Sequence, residues 1–392
     1  MGKDVKRMPR LQLGLSHVLR GHRGSVSCVK FSPDGDLLAT ASVDGLVILW
    51  DGVSGAYVRT LEGHQGGVST VAWSPDGVLL CSASDDRTVR LWEAATGRIV
   101  RTLVGHHNIV FAVDYSPTGD LIATGSFDCT IRIWNAQTGR CIRTIRGHTD
   151  PVTAVNFNRD GSLLVSGGFD GLVRIWDTNS GQCHRSILQN HNPPVSSATF
   201  SPNGKFVLVG TFGGTLQLWN YAQTKVLKRY RGHLHERFCL QAGFAVHQGA
   251  AAIMSGSEDG VCYLWDLQTK RVTLRLEGHS GPVVAIDSHP KLPIVVSAEL
   301  ASTTVSSSEN EAGSEKAQNA QDDEMGTIRL WQPPKQQQQV EGDENRLADA
   351  ASSVPVVIRA PAHTPSSARN ENGPFQDSPS PLVLQPVPIA SE

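Results

Sequence analysis

The chain has 392 residues, of which 18% are charged, and a formal net charge of −2. That length could hold two or three ordinary domains. The near-neutral charge gives no basic stripe of the kind that marks a direct nucleic-acid binder. Seven scattered cysteines with no Cys-x-x-Cys pair read as reduced thiols of a cytosolic or nuclear protein, not as a disulfide framework.

From the N-terminus, Met1–Arg10 is short and charged, with no apolar core for a signal peptide and no stretch long enough to span a membrane. His17-Val18-Leu19-Arg20 then resembles segments such as Val58-Arg59-Thr60-Leu61 that precede later repeat units. The units themselves follow. His22, His64, His106 and His148 each follow a glycine at a step of 42 residues, and Trp50, Trp92, Trp134 and Trp176 keep that step. His191 and Trp219 come 43 residues later, and His233, Trp265, His279 and Trp331 complete seven units. Inside a unit, alternating residues such as Ser27, Val29 and Phe31 give the two-residue period of a strand. Ser32-Pro33-Asp34-Gly35 and its repeats, among them Ser74-Pro75-Asp76-Gly77 and Ser201-Pro202-Asn203-Gly204, supply turn chemistry. An aspartate stands six residues before the tryptophan at Asp44, Asp86, Asp128, Asp170 and Asp259; Gly213 and Met325 replace it in units five and seven.

A glycine-histidine opening and a tryptophan closing at this period resemble the WD40 family. The resemblance implies an all-β chain, a seven-bladed WD40 β-propeller with a disordered C-terminal tail. It also implies that the aspartate pairs with the repeat histidine and that a strand hydroxyl links histidine to tryptophan. Blades five and seven, lacking the aspartate, are expected to be less rigid. The domain reading is a flexible N-terminus over 1–15, a propeller over 16–332 and a tail over 333–392. The N-terminal strand is expected to complete the last blade, because an open ring would leave two unpaired edges.

Unit seven is interrupted. Ser-, Glu- and Ala-rich residues at about 301–326, with six acids and one base, separate its expected second strand Val295–Ala298 from its third at Thr327–Trp331. They are too polar to bury and read as a disordered insertion. The Gln-, Pro- and Ser-rich tail carries seven acids and four bases, which leaves +6 on the remainder. Thr364-Pro365, Ser378-Pro379 and Ser380-Pro381 fit proline-directed phosphorylation sites. No phosphate loop, zinc-like Cys/His spacing or nucleophile elbow is present in the sequence, so the reading is not an enzyme, with no cofactor and no metal.

Function then has to come from the rim. Five residues after each repeat histidine stand Ser27, Ser69, Phe111, Thr153, Ser196, Phe238 and Val284; seven before the tryptophan stand Val43, Asp85, Phe127, Phe169, Phe212 and Glu258. Both sets fall at one mouth of the central channel. Turn positions ordinarily favour polar residues, so adjacent phenylalanines there suggest either a cover for the channel edge or an aromatic pocket for an arginine side chain.

The runs Asp150–Leu163, Asn192-Pro193-Pro194-Val195-Ser196 and Ser255-Gly256-Ser257-Glu258-Asp259 resemble a narrower family, the WD-repeat-protein-five type of propeller found in COMPASS/MLL-type histone H3 lysine-4 methyltransferase complexes. That resemblance implies a nuclear, non-catalytic scaffold that binds an arginine of a SET-domain methyltransferase subunit or of the histone H3 tail. Carried over by position, the pocket is Ser27, Val43, Ser69, Asp85, Phe111, Phe127, Thr153, Phe169, Ser196, Phe238, Cys239 and Leu300. The family clamps the guanidinium between two phenylalanines; Phe111 matches one, and Gln241 stands at the other. On the opposite face, Asn203, Phe206, Leu216, Val246 and Gln268 match positions that bind a retinoblastoma-binding-protein-five-like subunit, with ordinary strand packing as the plain alternative for Leu216 and Val246. Ser367-Ala368-Arg369 in the tail resembles the Ala-Arg core of ligands of that pocket. The rival reading is a WD40 adaptor of another complex, such as a ubiquitin-ligase substrate receptor. Against it, Val53, Ala95, Gln137, Asn179 and Gln268 stand where such receptors often carry the arginine of Trp-Asp-x-Arg.

Overall fold

The computed structural model describes residues 12–188, 192–247, 250–301, 326–334 and 355–361. Among them the elements are all strands, grouped into six four-stranded sheets and one five-stranded sheet. Within each of the first six sheets the strands pair antiparallel with their neighbours in sequence, so each sheet is one blade built from one stretch of chain. Blade one, for example, is Val26–Phe31, Leu37–Ser42, Val47–Asp51 and Tyr57–Leu61.

Blade seven is assembled differently. Val283–Ser288, Val295–Glu299 and Ile328–Gln332 are completed by the N-terminal strand Gly14–Arg20, antiparallel to Ile328–Gln332. Ring closure by the N-terminus is therefore as expected, although the strand begins two residues ahead of the expected boundary at 16. A departure lies beyond Trp331. The tail segment Val356–Arg359 forms a fifth strand, parallel to Gly14–Arg20. The tail is thus not wholly aperiodic. Residues 302–325 of the insertion expected at about 301–326, and the remaining tail with its Ser-Pro and Thr-Pro pairs and Ser367-Ala368-Arg369, lie outside the described residues.

Each regular blade is fixed by one buried network. In blade one, His22 Nδ1 donates to Asp44 at 3.0 Å, Trp50 Nε1 donates to the Thr40 hydroxyl at 3.0 Å, and that hydroxyl lies 2.9 Å from His22 Nε2. His64, His106 and His148 repeat the arrangement with Ser82, Thr124 and Ser166 as the linking hydroxyls. A buried polar network of this kind specifies one geometry because every member is satisfied.

The later units change it. In blade seven, where Met325 replaced the aspartate in sequence, Glu299 takes the role: its carboxylate accepts from His279 Nδ1 at 3.1 Å, and Ser297 joins His279 to Trp331. Blade six corrects the sequence reading. Asp259 does not pair with His233 but accepts from the Tyr263 hydroxyl at 2.8 Å. Among the described residues neither ring nitrogen of His233 has a hydrogen-bond partner, and Trp265 Nε1 donates to the Arg231 carbonyl instead. The cause is spacing. His233 and Trp265 stand 32 apart, against 28 for His22 and Trp50, so the hydroxyl of Ser255 no longer lies across from the histidine. In blade five, Val209 occupies the hydroxyl position and Trp219 Nε1 has no partner among the described residues, from which His191 is absent.

Two outcomes follow for stability. Thr40→Val leaves His22 Nε2 and Trp50 Nε1 buried without a partner and should cost about 1–3 kcal/mol in urea unfolding. Burial opposes charge on Asp44, Asp86, Asp128 and Asp170, but hydrogen bonds from the paired histidines hold each below the ordinary carboxylate range; Glu299, likewise buried, is brought down to about 2 by His279, Thr327 and backbone amides. A depressed folded-state pKa gives stability that is complete above the unfolded value and lost as protons bind the folded carboxylate. The denaturation midpoint should therefore fall as pH drops from about 4 toward 2, and less steeply in Glu299→Gln.

Candidate functional site

Seven turns meet around one mouth of the channel, each held by the same backbone bond. The amide N–H groups of Val43, Asp85, Phe127, Phe169, Phe212, Glu258 and Leu300 donate to the carbonyls of Ser25, Gly67, Ile109, Pro151, Pro194, Leu234 and Pro282, at 2.9–3.1 Å. This bond ties the turn between the second and third strands of a blade to the loop entering that blade. It fixes the direction in which each mouth side chain leaves the backbone. Leu300 is the seventh member, a role that counting back from Trp331 hides because the insertion intervenes.

The aromatic members form a continuous arc. Phe111 and Phe127 have ring centroids 5.6 Å apart, Phe127 and Phe169 6.1 Å, Phe169 and Phe212 6.2 Å, and Phe212 and His235 4.8 Å. These distances lie in the range of favourable edge and tilted contacts. His235 was not found by sequence reasoning. Burial, followed by the neighbouring His233, pushes its pKa down to about 3, which keeps the ring neutral at physiological pH. Phe111, Cys239 and Leu300 are buried, and Val43, Phe127, Phe169 and Phe238 pack half-buried against the same cluster.

Beneath the arc lies a channel cavity of about 170 Å³ lined by Ser27, Ser69, Phe111, Thr153, Ser196, Cys239 and Gln241, among others. Its hydroxyl protons are already engaged across blades. Ser27 donates to the carbonyls of Ala41 and Val68, Thr153 to those of Gly167 and Val195, and Ser196 to those of Gly210 and Leu240. What these oxygens still offer is lone pairs, so the floor presents acceptors. Ser69 donates to Asp85 at 3.2 Å. Burial raises Asp85 to about 6 despite that bond, so its charge at neutral pH is held at a desolvation cost.

Two placements differ from the spacing. Phe238 does not begin an innermost strand; blade six starts at Ala242, and Ser196 bonds Leu240 as Thr153 bonds Val195. Gln241 thus takes the position Ser27 has in blade one, three residues later than counted from His233. Its Oε1 is buried with no hydrogen-bond partner among the described residues. The extra residues form a loop held by Glu258, whose carboxylate accepts from the amides of Glu236, Arg237 and Phe238 at 2.6, 2.6 and 3.1 Å.

On the opposite face, the turns between first and second strands sit beside those between third and fourth, as Gly52 N bonding Asp36 O shows at 2.8 Å. Asn203, in such a turn, accepts from Ser201 and from the Lys205 amide. Phe206 is half-buried, Val246 is 44% exposed, and Gln268 accepts from Lys228 Nζ at 2.9 Å. Leu216 departs from this set. It is 1% exposed and belongs to the core with Leu208, Ile253 and Trp265, so it packs the blade and offers no surface. Among the described residues, no group of three or more His, Cys, Asp or Glu side chains could hold a metal ion, and no helix is long and apolar enough to cross a membrane.

A ring of seven blades, four of which carry the full His–Asp–hydroxyl–Trp network, defines a WD40 β-propeller, whose general role is to present surfaces for protein–protein contact. The model of the WDR5 β-propeller domain matches residues 18–306, and the chain belongs to that family. Over shorter stretches it is 50% identical to Protein Mut11 of Chlamydomonas reinhardtii across 52 residues (13% of this chain, 14% of that protein). It is 30% identical to the WD repeat-containing protein 26 homolog of Arabidopsis thaliana across 136 residues (34% and 18%). It is 32% identical to the human U5 small nuclear ribonucleoprotein 40 kDa protein across 78 residues (19% and 21%). These matches span no more than about a fifth of each relative's length.

Glu258→Ala should release the loop over 236–238 while leaving the blades intact. Amide exchange at those residues is expected to rise about tenfold or more, with exchange in the blade strands unchanged.

Proposed function

We propose that this propeller is the non-catalytic scaffold of a COMPASS-like histone H3 lysine-4 methyltransferase complex in the nucleus, and that its channel mouth holds an arginine side chain of a partner peptide. The peptide comes from the SET-domain methyltransferase subunit or from the histone H3 tail. A retinoblastoma-binding-protein-five-like subunit docks on the opposite face through Asn203, Phe206, Val246 and Gln268. Membership of the WDR5-type family supports a scaffold or adaptor role, and one feature of the site supports the finer reading: a planar cation is the chemistry that suits an aromatic arc set over a floor of oxygen acceptors. Phe111, which lines the cavity, is the ring placed to meet a guanidinium, a contact worth about 0.5–2 kcal/mol. The lone pairs of Ser27, Thr153 and Ser196 and the unpartnered Oε1 of Gln241 can accept its N–H groups. In place of a second stacking phenylalanine, Gln241 exchanges a π face for a hydrogen-bond acceptor.

The test is titration of a fluorescent Ala-Arg-centred peptide. Phe111→Ala should weaken binding about tenfold, equivalent to ~1.4 kcal/mol, and replacing the peptide's arginine by alanine should abolish it. Asp85 ionises above about 6, and a cation binds its ionised form more tightly. Affinity should therefore rise between pH 5 and 7 and become flat in Asp85→Asn. Equal affinity for the arginine and alanine peptides would end the arginine-pocket reading. Purification from cells should recover a SET-domain protein; recovery of a cullin adaptor in its place would favour a ubiquitin-ligase receptor.

A further inference from the structure

The seam where the ring closes carries a feature that the other blades lack. In blades two, three, four and seven, an arginine two residues before the tryptophan (Arg90, Arg132, Arg174, Arg329) lies over the glycine that precedes the repeat histidine. A Cβ added at Gly63, Gly105, Gly147 or Gly278 would stand 2.3, 2.5, 3.4 and 3.5 Å from those guanidinium groups. Blade one has Ile48 at that place, fully buried, and what lies over its glycine is the tail: a Cβ at Gly21 would meet the Ala360 Cβ at 2.6 Å. Ile358 and Ala360 pack on the cluster containing Leu19, Ile48, Trp50 and Tyr57.

Backbone pairing fixes the register of this contact. His17, Val18, Leu19 and Arg20 pair with Val356, Val357, Ile358 and Arg359, and Ala360 N donates to the Arg20 carbonyl at 2.7 Å. Pro355 and Pro361, which lack a donor, bracket the strand. Val356 and Val357 are more than half exposed, so the inward side chains, Ile358 and Ala360, supply the specificity.

We propose that the outer edge of the N-terminal strand, with Gly21 and Ile48, is a binding site for a parallel apolar strand, and that the chain's own Pro355–Pro361 is its ligand. The segment latches the closing blade to blade one. Twenty residues, 335–354, connect it to Pro334. Release of the latch uncovers a strand edge able to accept another chain.

The experiment uses full-length protein. In Ile358→Asp, and in Ile48→Arg, which introduces the arginine found in blades two, three, four and seven, the outward-facing amides of Gly14–Arg20 should exchange at least about tenfold faster, with the strands of blades two to four unchanged. A labelled Pro355–Pro361 peptide should bind Ile358→Asp and fail to bind the unaltered chain; the same peptide carrying aspartate for Ile358 should bind neither. Unchanged exchange in both variants, or no peptide binding to Ile358→Asp, overturns the proposal. Protection of Gly14–Arg20 that falls on dilution, together with a doubled mass by light scattering, overturns it in favour of strand exchange between two copies.

Discussion

A single hydroxyl oxygen, buried between an imidazole and an indole, sets the shape of each regular blade. Thr40, Ser82, Thr124 and Ser166 each sit on the second strand, accept a hydrogen bond from a third-strand tryptophan and bond the Nε2 of the histidine in the incoming loop. That histidine donates its Nδ1–H to the aspartate of the turn between those strands. Four pieces of chain are thereby locked at one end of the blade, the end that forms the channel mouth. The same end carries the backbone bond from each mouth residue to the incoming loop, and that bond persists in blades five and six, where the network is incomplete.

Blades six and seven depart from the network in different ways. Blade seven keeps the chemistry with a longer side chain, Glu299, from the residue next to mouth residue Leu300. Blade six loses it, and burial leaves His233 with a pKa near 4, a neutral ring in an apolar setting. There the order comes from elsewhere. Glu258 gathers three amide donors of the loop, and Tyr230 and Lys228 bond the Leu267 carbonyl on the far side. The loop so held carries Phe238 and delivers Gln241 into the channel.

The period of 42 made the fold legible, because glycine-histidine, turn and tryptophan recur with little drift in four consecutive units. The mouth was legible to the same extent: Ser27, Ser69, Thr153, Ser196, Phe111, Phe127 and Phe169 come from units without insertions and line the channel or its rim. Counting failed where residues were inserted. Phe238 was placed three residues early on its strand, and Asp259 was assigned a partner that the longer loop carries away. Glu299 was invisible because no rule of spacing points to a glutamate ahead of an insertion. Leu216 reads like a surface position only if its burial is unknown. The tail strand was missed for a different reason. Val356-Val357-Ile358-Arg359 is too short to show a period, and what makes it a strand is the edge it lands on.

The mouth is also lopsided, and this bears on what can enter it. Blades three to six contribute rings; blades one and seven contribute Val43, Val284 and Leu300; the carboxylate of Asp85, in blade two, stands between the two halves and accepts from Ser69. Under the arginine reading, the flat face of a guanidinium lies along the aromatic half while its N–H edge reaches the hydroxyl oxygens and Gln241. An ammonium group has no flat face to place and only three donors. The same oxygen floor that holds the blades together through its protons is then what selects the ligand through its lone pairs, so a substitution such as Thr153→Val acts on the ring's rigidity and on its recognition at once.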